Sequence, residues 1–245
     1  MLNKIKTGIS GIDKMLYGGI PEASQVLISG GPGAGKTLMG FEYLYRNAKM
    51  GNTGILFAFE EEPSRILENV KSTFPEFTDI DDLVKQGKII IDAKAPSETA
   101  LGSFGESRST YEFGKVISDM ESLVVSSKAT RVVVDSISVF NILIRDEALY
   151  RKYMLALILS MRRLGVTSIM TTEMESPERH KLLFKPEYFI FDGIIALYQT
   201  GEEAKRMLAT EILKIRGSKH SFVTTPYEIT PAGFRIFAAE DMAPY

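Results

Sequence analysis

The amino-acid sequence predicts an α/β domain built on a doubly wound, mostly parallel β-sheet, with helices on both faces and antiparallel strands at the C-terminal side. Two observations carry this prediction. Short apolar runs recur along the chain, and segments with helical periodicity separate them. Strands of a parallel sheet are buried on both faces, so they are apolar throughout. Their alternation with helices is typical of parallel crossover units.

The predicted strands and helices alternate up to about residue 170. The apolar runs that predict strands cover residues 26–29, 54–59, 88–91, 131–134 and 166–170. The segments in which apolar residues recur at helical spacing cover residues 36–50, 63–73, 110–127 and 147–164. Pro63 and Gly165 stand where the start and the end of a helix favour these residue types.

The pattern changes after about residue 190. Residues 190–198, 206–215 and 222–229 predict antiparallel strands that close one side of the sheet. Two stretches rich in glycine, serine and charge, 94–109 and 173–187, show no clear period. Both are long enough to be functional loops.

Composition limits the class of protein. A chain of 245 residues with 44% hydrophobic and 24% charged residues can bury one sizeable core, so we expect a single domain over residues 1–245. The formal net charge of -2 gives no global attraction to nucleic acid or to an anionic membrane. The absence of cysteine excludes disulfides and thiol catalysis. No apolar run approaches the ~18 residues of a membrane span, and the start lacks the apolar core of a signal peptide. We therefore expect a cytoplasmic protein without a membrane partner.

Residues 30–37 read Gly-Gly-Pro-Gly-Ala-Gly-Lys-Thr, follow a predicted buried strand and open a predicted helix. This is the Walker A pattern of a phosphate-binding loop (P-loop), in which backbone N–H groups point at a polyphosphate. The helix N-terminus adds a favourable dipole beneath the phosphates. The pattern predicts that a nucleoside triphosphate and magnesium bind here, with Lys36 on the outer phosphates and Thr37 on the metal. The predicted nucleotide contacts are Gly30, Gly31, Pro32, Gly33, Ala34, Gly35, Lys36, Thr37 and Leu38.

Acidic residues follow two other predicted strands. Asp135 ends the run at 131–134, where a magnesium-facing aspartate stands in P-loop enzymes. We expect it to bind the metal directly or through a water molecule, although an aspartate there can also cap the following turn. Glu60, Glu61 and Glu62 follow the strand at 54–59, and such a cluster can supply a group that accepts a proton from water. Alternatively, they can lie at the N-terminus of the next helix, where the helix dipole stabilises acidic side chains.

An ordered set of short motifs runs along the chain: Thr-Gly-Ile-Ser-Gly-Ile-Asp at 7–13, Gly-Gly-Ile-Pro at 18–21, the P-loop, Phe-Ala-Phe-Glu-Glu at 57–61, Asp-Ser at 135–136, Thr-Thr-Glu at 171–173 and Lys-Ile-Arg-Gly at 214–217. Together, these motifs resemble a single-domain KaiC-like ATPase of the RecA superfamily over nearly the whole chain. It implies a RecA-like fold and ATP as the nucleotide. It also implies that Glu60 and Glu61 are the paired catalytic glutamates that act with Lys36, and that Thr37 and Asp135 hold the metal.

The resemblance further implies a homo-oligomeric ring, expected to be a hexamer, with nucleotide at the subunit interfaces. Lys214, Arg216 and His220 match a set that reaches the nucleotide of the neighbouring subunit. Lys214 and Arg216 share one face of a strand by alternation, so they can offer two cations to phosphate charge. A solvated basic strand end is the alternative explanation for the cations, and a polar surface histidine for His220.

Three functions stay open at the level of the sequence. The first is a slow, magnesium-dependent ATP hydrolase whose ring acts as a regulatory or signalling switch on a protein client that the sequence does not identify. The second is a recombinase-type ATPase that acts on single-stranded DNA through loops 94–109 and 173–187; the near-neutral charge does not favour it. The third is a nucleotide sensor that does not hydrolyse, which the acids at 60, 61 and 135 argue against.

Overall fold

The computed structural model describes residues 3–93, 106–144, 146–174, 176, 178–179, 186–200 and 207–237. The strands in this part of the chain are β1 (Lys4–Ile5), β2 (Ile20–Pro21), β3 (Gln25–Gly30), β4 (Gly54–Ala58), β5 (Ile89–Asp92), β6 (Arg131–Asp135), β7 (Thr167–Glu173), β8 (Gly193–Thr200), β9 (Met207–Ile215), β10 (Thr225–Thr230) and β11 (Gly233–Ile236). The α-helices are α1 (Ile12–Met15), α2 (Lys36–Lys49), α3 (Pro63–Thr73), α4 (Ile80–Lys85), α5 (Glu106–Ser127), α6 (Ser138–Leu143) and α7 (Glu147–Arg163), and a 3-10 helix covers Pro186–Phe189.

Nine strands form one sheet in the order β11-β10-β9-β8-β3-β7-β6-β4-β5, and β1 pairs with β2 in a separate ribbon. The strands from β8 to β5 in this order run parallel to one another. Their carboxyl ends therefore meet at one edge of the sheet, where the loops that follow β3, β4, β6 and β7 converge. In doubly wound folds this edge carries the ligand site.

Helices cover both faces of the sheet, as the fully apolar strands predict. Val26 and Ile28 of β3 pack in the core cluster that contains apolar residues of α1 to α4. Leu27, which alternates with them, packs in the opposite cluster with residues of α5 to α7. The two-sided burial of β3 and β4 explains why their sequences are apolar throughout. The doubly wound α/β fold is thus confirmed.

The antiparallel segment at the C-terminal side is also confirmed. β9 pairs antiparallel with β8, and β10 pairs antiparallel with both β9 and β11. β8 itself runs parallel to β3, so it is the strand at which the pairing changes direction. The sequence pattern grouped β8 with the antiparallel strands because apolar runs do not reveal strand direction.

The structure differs from the predicted elements at several short segments. Helix α5 begins at Glu106, so the segment 106–109 of the predicted loop 94–109 is helical. Residues 94–105 lie outside the described residues, as do 175, 177 and 180–185 of the predicted loop 173–187. The pattern did not predict β1, β2, β11, α1, α4 or α6, which are two to six residues long and too short to show a period. None of the described helices is long and apolar enough to cross a membrane.

Candidate active site

The P-loop joins the central strand β3 to helix α2. β3 is buried along its whole length, so the packed sheet fixes the point at which the loop begins. Gly33 and Gly35 have φ angles of 75° and 84°, a left-handed conformation that glycine adopts without a steric cost. A Cβ atom on Gly35 would stand 2.8 Å from Cζ of Phe234. Glycine at position 35 therefore meets both a conformational and a steric need.

Side chains from the C-terminal strands hold the loop from outside. Gln199 of β8 donates a hydrogen bond from Nε2 to the carbonyl of Pro32 at 2.7 Å. Tyr227 of β10 donates from its hydroxyl to the carbonyl of Ala34, also at 2.7 Å. Both side chains thus hold the loop through its carbonyl groups and do not occupy its backbone N–H groups, which are the groups that bind a polyphosphate in such loops.

Lys36 stands at the first position of α2 and points back along the loop. Its ammonium donates to the carbonyls of Gly30 at 3.0 Å and of Gly31 at 3.1 Å. Burial lowers the pKa of Lys36, while the nearby carboxylates of Glu173, Asp135 and Glu60 oppose that shift. Of the three, Glu173 acts most strongly on this ammonium. The carboxylates lie at or just after the ends of β7, β6 and β4, so these three strand ends face Lys36.

Thr37 and Asp135 form the pair expected at a magnesium site. The Thr37 hydroxyl donates to Oδ2 of Asp135 at 2.7 Å. Thr171 of β7 donates to the other carboxylate oxygen, Oδ1, which fixes the orientation of the side chain. Magnesium prefers hard oxygen ligands and is usually held by one or two protein groups together with water and phosphate. The hydroxyl and carboxylate oxygens of this pair fit that ion.

Glu60 reaches the same place from the neighbouring strand. β4 pairs with β6, with Ala58 opposite Asp135, and the Phe59 N–H donates to the Asp135 carbonyl at 2.8 Å. This pairing brings Glu60 to Ser136, whose hydroxyl donates to Oε1 of Glu60 at 2.6 Å. The Glu60 carboxylate is thereby held beside Lys36 and the Thr37–Asp135 pair.

Glu61 and Glu62 have different surroundings. Oε2 of Glu61 accepts a hydrogen bond from Asn69 of α3 at 3.3 Å. Glu62 is the N-cap residue of α3, before Pro63 at the first helical position. Its backbone carbonyl accepts from the Ile66 N–H at 3.1 Å. Of the two explanations given for these acids, an acid at the start of the next helix applies to Glu62. Glu60 instead contacts Ser136, which follows β6.

A cleft of about 360 Å³ lies between the P-loop and α3. It is lined by residues of the loop and of the start of α2, including the predicted contacts Gly33, Gly35, Lys36, Thr37 and Leu38. Glu61 and the α3 residues Ile66, Asn69, Val70, Ser72 and Thr73 complete the lining. The cleft is therefore continuous with the phosphate cradle and offers both apolar and hydrogen-bonding groups from α3.

Lys214, Arg216 and His220 lie away from the P-loop of their own chain. β9 runs antiparallel to β8, so it ends near the start of β3. Lys214 pairs with Ile194, which in turn pairs with Leu27 near the start of β3. The P-loop follows β3 at its other end, after Gly30. The structure thus does not bring the predicted basic set together with the other site residues of the same chain.

The two cations do share one side of the strand end. Lys214 donates to the carbonyl of Phe189 at 3.3 Å, and Arg216 donates to the same carbonyl at 2.7 Å. Burial and the adjacent Arg216 guanidinium lower the pKa of Lys214. His220 lies on the following turn, where Nδ1 is 3.0 Å from the Ser221 carbonyl and the ring packs against Phe222 at a centroid distance of 4.5 Å.

The interpretation of the sequence assigned no role to Ser136, Asn69 or Thr171, which orient the site carboxylates. Ser136 directly follows Asp135 at the end of β6, and Thr171 lies on the neighbouring strand β7. Their positions at or just after the ends of predicted strands are the sequence feature that could have indicated a role for them. Asn69 gives no such signal, because its contact with Glu61 depends on the angle at which α3 leaves the sheet.

Comparison with known proteins shows the family to which the chain belongs. The model of the family described as ATPase: KaiC matches residues 5–241, nearly the full chain. The chain belongs to the KaiC ATPase family. It is therefore a nucleotide-binding P-loop domain of the RecA superfamily, with the RecA-like α/β fold that the strand order displays.

Relatives within the KaiC family differ in length. The Circadian clock oscillator protein KaiC 1 of Synechocystis sp. is 32% identical over 237 residues, which cover 96% of this chain and 44% of that protein. A UPF0273 protein of Thermotoga maritima is 33% identical over 248 residues, covering 98% of each chain. A UPF0273 protein of Aeropyrum pernix is 32% identical over 241 residues, covering 97% of this chain and 94% of that one. The chain thus spans about half of the clock protein and nearly all of the UPF0273 relatives.

Proposed function

We propose that this protein is a magnesium-dependent ATP hydrolase of the KaiC type, which assembles into a homo-oligomeric ring with nucleotide at the subunit interfaces. One observation carries the proposal: the P-loop lysine, the Thr37–Asp135 pair and the Ser136-held Glu60 converge at one edge of the sheet. Together they supply a phosphate cradle, a metal site and an acid that can take a proton from water.

The P-loop residues bind and orient the triphosphate. Backbone N–H groups of Gly31 and of residues 33–37, together with the N-terminus of α2, face the phosphates, and Lys36 exchanges its carbonyl contacts for phosphate oxygens. Thr37 and Asp135 hold magnesium, which when bound neutralises charge on the outer phosphates. The cleft along α3 takes the nucleoside, where Asn69 and Ser72 offer hydrogen bonds to ribose or base oxygens and nitrogens.

Glu60 is the acid that activates the attacking water in this proposal. The water oxygen forms a bond to the γ-phosphorus as the bond from that phosphorus to the bridging oxygen breaks, and ADP leaves. The water proton passes to the Glu60 carboxylate. Ser136 keeps that carboxylate beside the Thr37–Asp135 pair, whereas Glu61 is turned toward Asn69. The contacts of the two acids therefore favour Glu60 as the proton acceptor.

The basic set completes the site from the neighbouring subunit. Lys214 and Arg216 lie at the far edge of their own sheet, so a neighbour's P-loop is the phosphate site open to them in a ring. There they would stabilise charge on the transferred phosphoryl group, with His220 on the adjacent turn. We expect a hexameric ring and slow hydrolysis, with the cycle changing the ring's shape as a regulatory or signalling switch for a protein client.

Phosphate release from ATP tests the chemistry. The wild-type protein is expected to release phosphate with magnesium and to lose this activity with EDTA, and Lys36→Ala is expected to be inactive in both conditions. Bound ATP that is never hydrolysed would contradict the proposal and favour a nucleotide sensor. Stimulation by single-stranded DNA that disappears at higher salt would favour the recombinase-type alternative, because phosphate contacts are salt-sensitive.

A further inference from the structure

Asp192, at the junction between the 3-10 helix and β8, collects contacts from three parts of the chain. Its carboxylate oxygens accept two hydrogen bonds from Arg162 of α7, both at 2.9 Å. One of them, Oδ2, also accepts from the Gln25 N–H at 3.0 Å. The other, Oδ1, lies 3.7 Å from a guanidinium nitrogen of Arg216. The side chain is 14% exposed, so it is largely enclosed by these partners.

The backbone around Asp192 holds the same two cations. The Arg216 N–H donates to the Asp192 carbonyl at 2.7 Å, and the Arg216 side chain donates to the Phe189 carbonyl at 2.7 Å. Lys214 donates to the Phe191 carbonyl at 2.6 Å. The negative charge of Asp192 also acts on Lys214, where it opposes the effect of burial. Residues 189–192 therefore form a cradle of carbonyls and one carboxylate beneath both cations.

We propose that Asp192 is a positioning residue for Arg216, and through it for phosphate charge on the neighbouring subunit; this rests on the proposed shared site. The Arg216 side chain is 52% exposed, and an exposed arginine samples many rotamers unless a partner restricts it. Arg162 fixes Asp192 through two hydrogen bonds, and Asp192 in turn confines one side of the Arg216 guanidinium. The Arg216 side chain is still about half exposed, so it can make a charge-assisted contact with phosphate, and the geometry of such a contact affects the rate.

The substitution Asp192→Asn isolates this role. An asparagine keeps the volume and can still accept the Gln25 N–H through its amide oxygen. It removes the negative charge that attracts the guanidinium. We expect kcat for ATP hydrolysis to fall roughly 10-fold, with the Kd for ATP unchanged, because the P-loop and Lys36 of the neighbouring chain, which hold the nucleotide, keep all their contacts. Circular dichroism and thermal unfolding establish that the variant is folded.

Mixing variants separates positioning from a purely structural effect. A double variant, Glu60→Gln/Glu61→Gln, retains the P-loop and an intact Arg216 but cannot activate water. Mixed with Asp192→Asn, it is expected to recover about a quarter of the wild-type activity, because a quarter of head-to-tail interfaces pair an intact acid site with an intact cation donor. Asp192→Asn mixed with Arg216→Ala is expected not to exceed the rate of Asp192→Asn alone, since neither variant contributes a fully competent donor.

Controls distinguish the failure of this proposal from the failure of the shared site. Arg216→Ala mixed with the double variant must recover activity; if it does not, the shared site is wrong and the role of Asp192 falls with it. If that pair recovers but the double variant does not rescue Asp192→Asn, only the role of Asp192 is overturned. A loss of kcat in Arg162→Ala larger than in Asp192→Asn would also overturn it, since the effect would then not pass through Asp192. Asp81→Asn is the matched control: it is the same change of residue, it removes an exposed ion pair with Lys71, and its ATPase activity is expected to equal that of the wild type.

Discussion

At the scale of single residues, the surroundings of each acid decide what it can do. Glu60 is exposed at the end of β4 and held by Ser136 at 2.6 Å, so it can meet water and exchange a proton. Glu42 of α2 is fully buried, where it pairs with Arg46 at 3.0 Å and accepts from the Phe234 N–H at 2.7 Å. The proposed function uses the first residue as the proton acceptor, whereas the second holds β11 against the helix that follows the P-loop.

The two adjacent glutamates give a direct prediction. Glu60→Gln is expected to lower kcat by about 100-fold or more, which is the usual effect of removing a general base. Glu61→Gln is expected to lower kcat much less, because this carboxylate contacts Asn69 rather than the end of β6. Phosphate release by the two variants measures the difference. Equal losses, or a larger loss in Glu61→Gln, would assign the proton acceptor to Glu61.

The buried Glu42 predicts a pH-dependent stability. Burial raises the pKa of Glu42 above the ordinary value of 4.5, so the native state binds this proton more tightly than the unfolded chain. The resulting stability is fully present below pH 4.5 and is lost as the pH rises through the raised folded pKa. Glu42→Gln cannot lose a proton, so its free energy of unfolding should rise relative to wild type as the pH increases above 4.5 and through the raised folded pKa.

Urea unfolding at several pH values checks this prediction. Asp81→Asn is a control whose pH dependence has the opposite sign. Lys71 lowers the pKa of Asp81, so the stability that this carboxylate contributes is lost as the pH falls. A difference between Glu42→Gln and wild type that stays constant over this range would show that Glu42 does not titrate differently in the folded protein.

At the scale of elements, the P-loop depends on the hairpin of β10 and β11 behind it. A methyl group on Gly35 would stand 2.8 Å from Phe234 and 2.9 Å from Ile229. Tyr227 of the same hairpin donates to the Ala34 carbonyl at 2.7 Å. The loop conformation is thus a joint property of β3, α2 and two strands that lie nearly 200 residues later in the chain.

Two glycine substitutions test that dependence. Gly35→Ala is expected to lower the free energy of unfolding by about 1–3 kcal/mol beyond the cost of its positive φ, because the added methyl overpacks the hairpin. Gly51→Ala is the matched control, since Gly51 has a φ of 89° and no atom within 4 Å of an added Cβ. It should cost only about 1–2 kcal/mol of backbone strain. Equal losses in denaturant unfolding would mean that the hairpin does not constrain the loop.

The parts of the structure that are local in sequence could be predicted. The P-loop, the flanking strand and helix, and the acid at the end of β6 follow from residues next to one another. The contact of Ser136 with Glu60 and that of Asn69 with Glu61 could not be predicted, since each joins elements whose relative orientation only packing fixes. The parallel direction of β8 was missed for a related reason: β8 pairs with β3, a strand distant in sequence, and an apolar run does not reveal the direction in which its strand runs.

At the scale of the whole molecule, the site residues divide between two edges of one sheet. The P-loop, Glu60 and Asp135 lie at the carboxyl ends of the parallel strands, and Lys214 and Arg216 lie at the other edge. In the proposed function each edge is one half of a site, and such a division suits head-to-tail assembly into a ring. The proposal therefore makes hydrolysis a property of the assembly.

The dependence of ATPase activity on protein concentration tests this claim most directly. The rate of phosphate release per subunit is measured over a dilution series with ATP and magnesium, and native mass measurement gives the fraction of assembled chains in each sample. The proposed shared site predicts that the rate per subunit falls in proportion to the assembled fraction. A monomer that retains the full rate would contradict it.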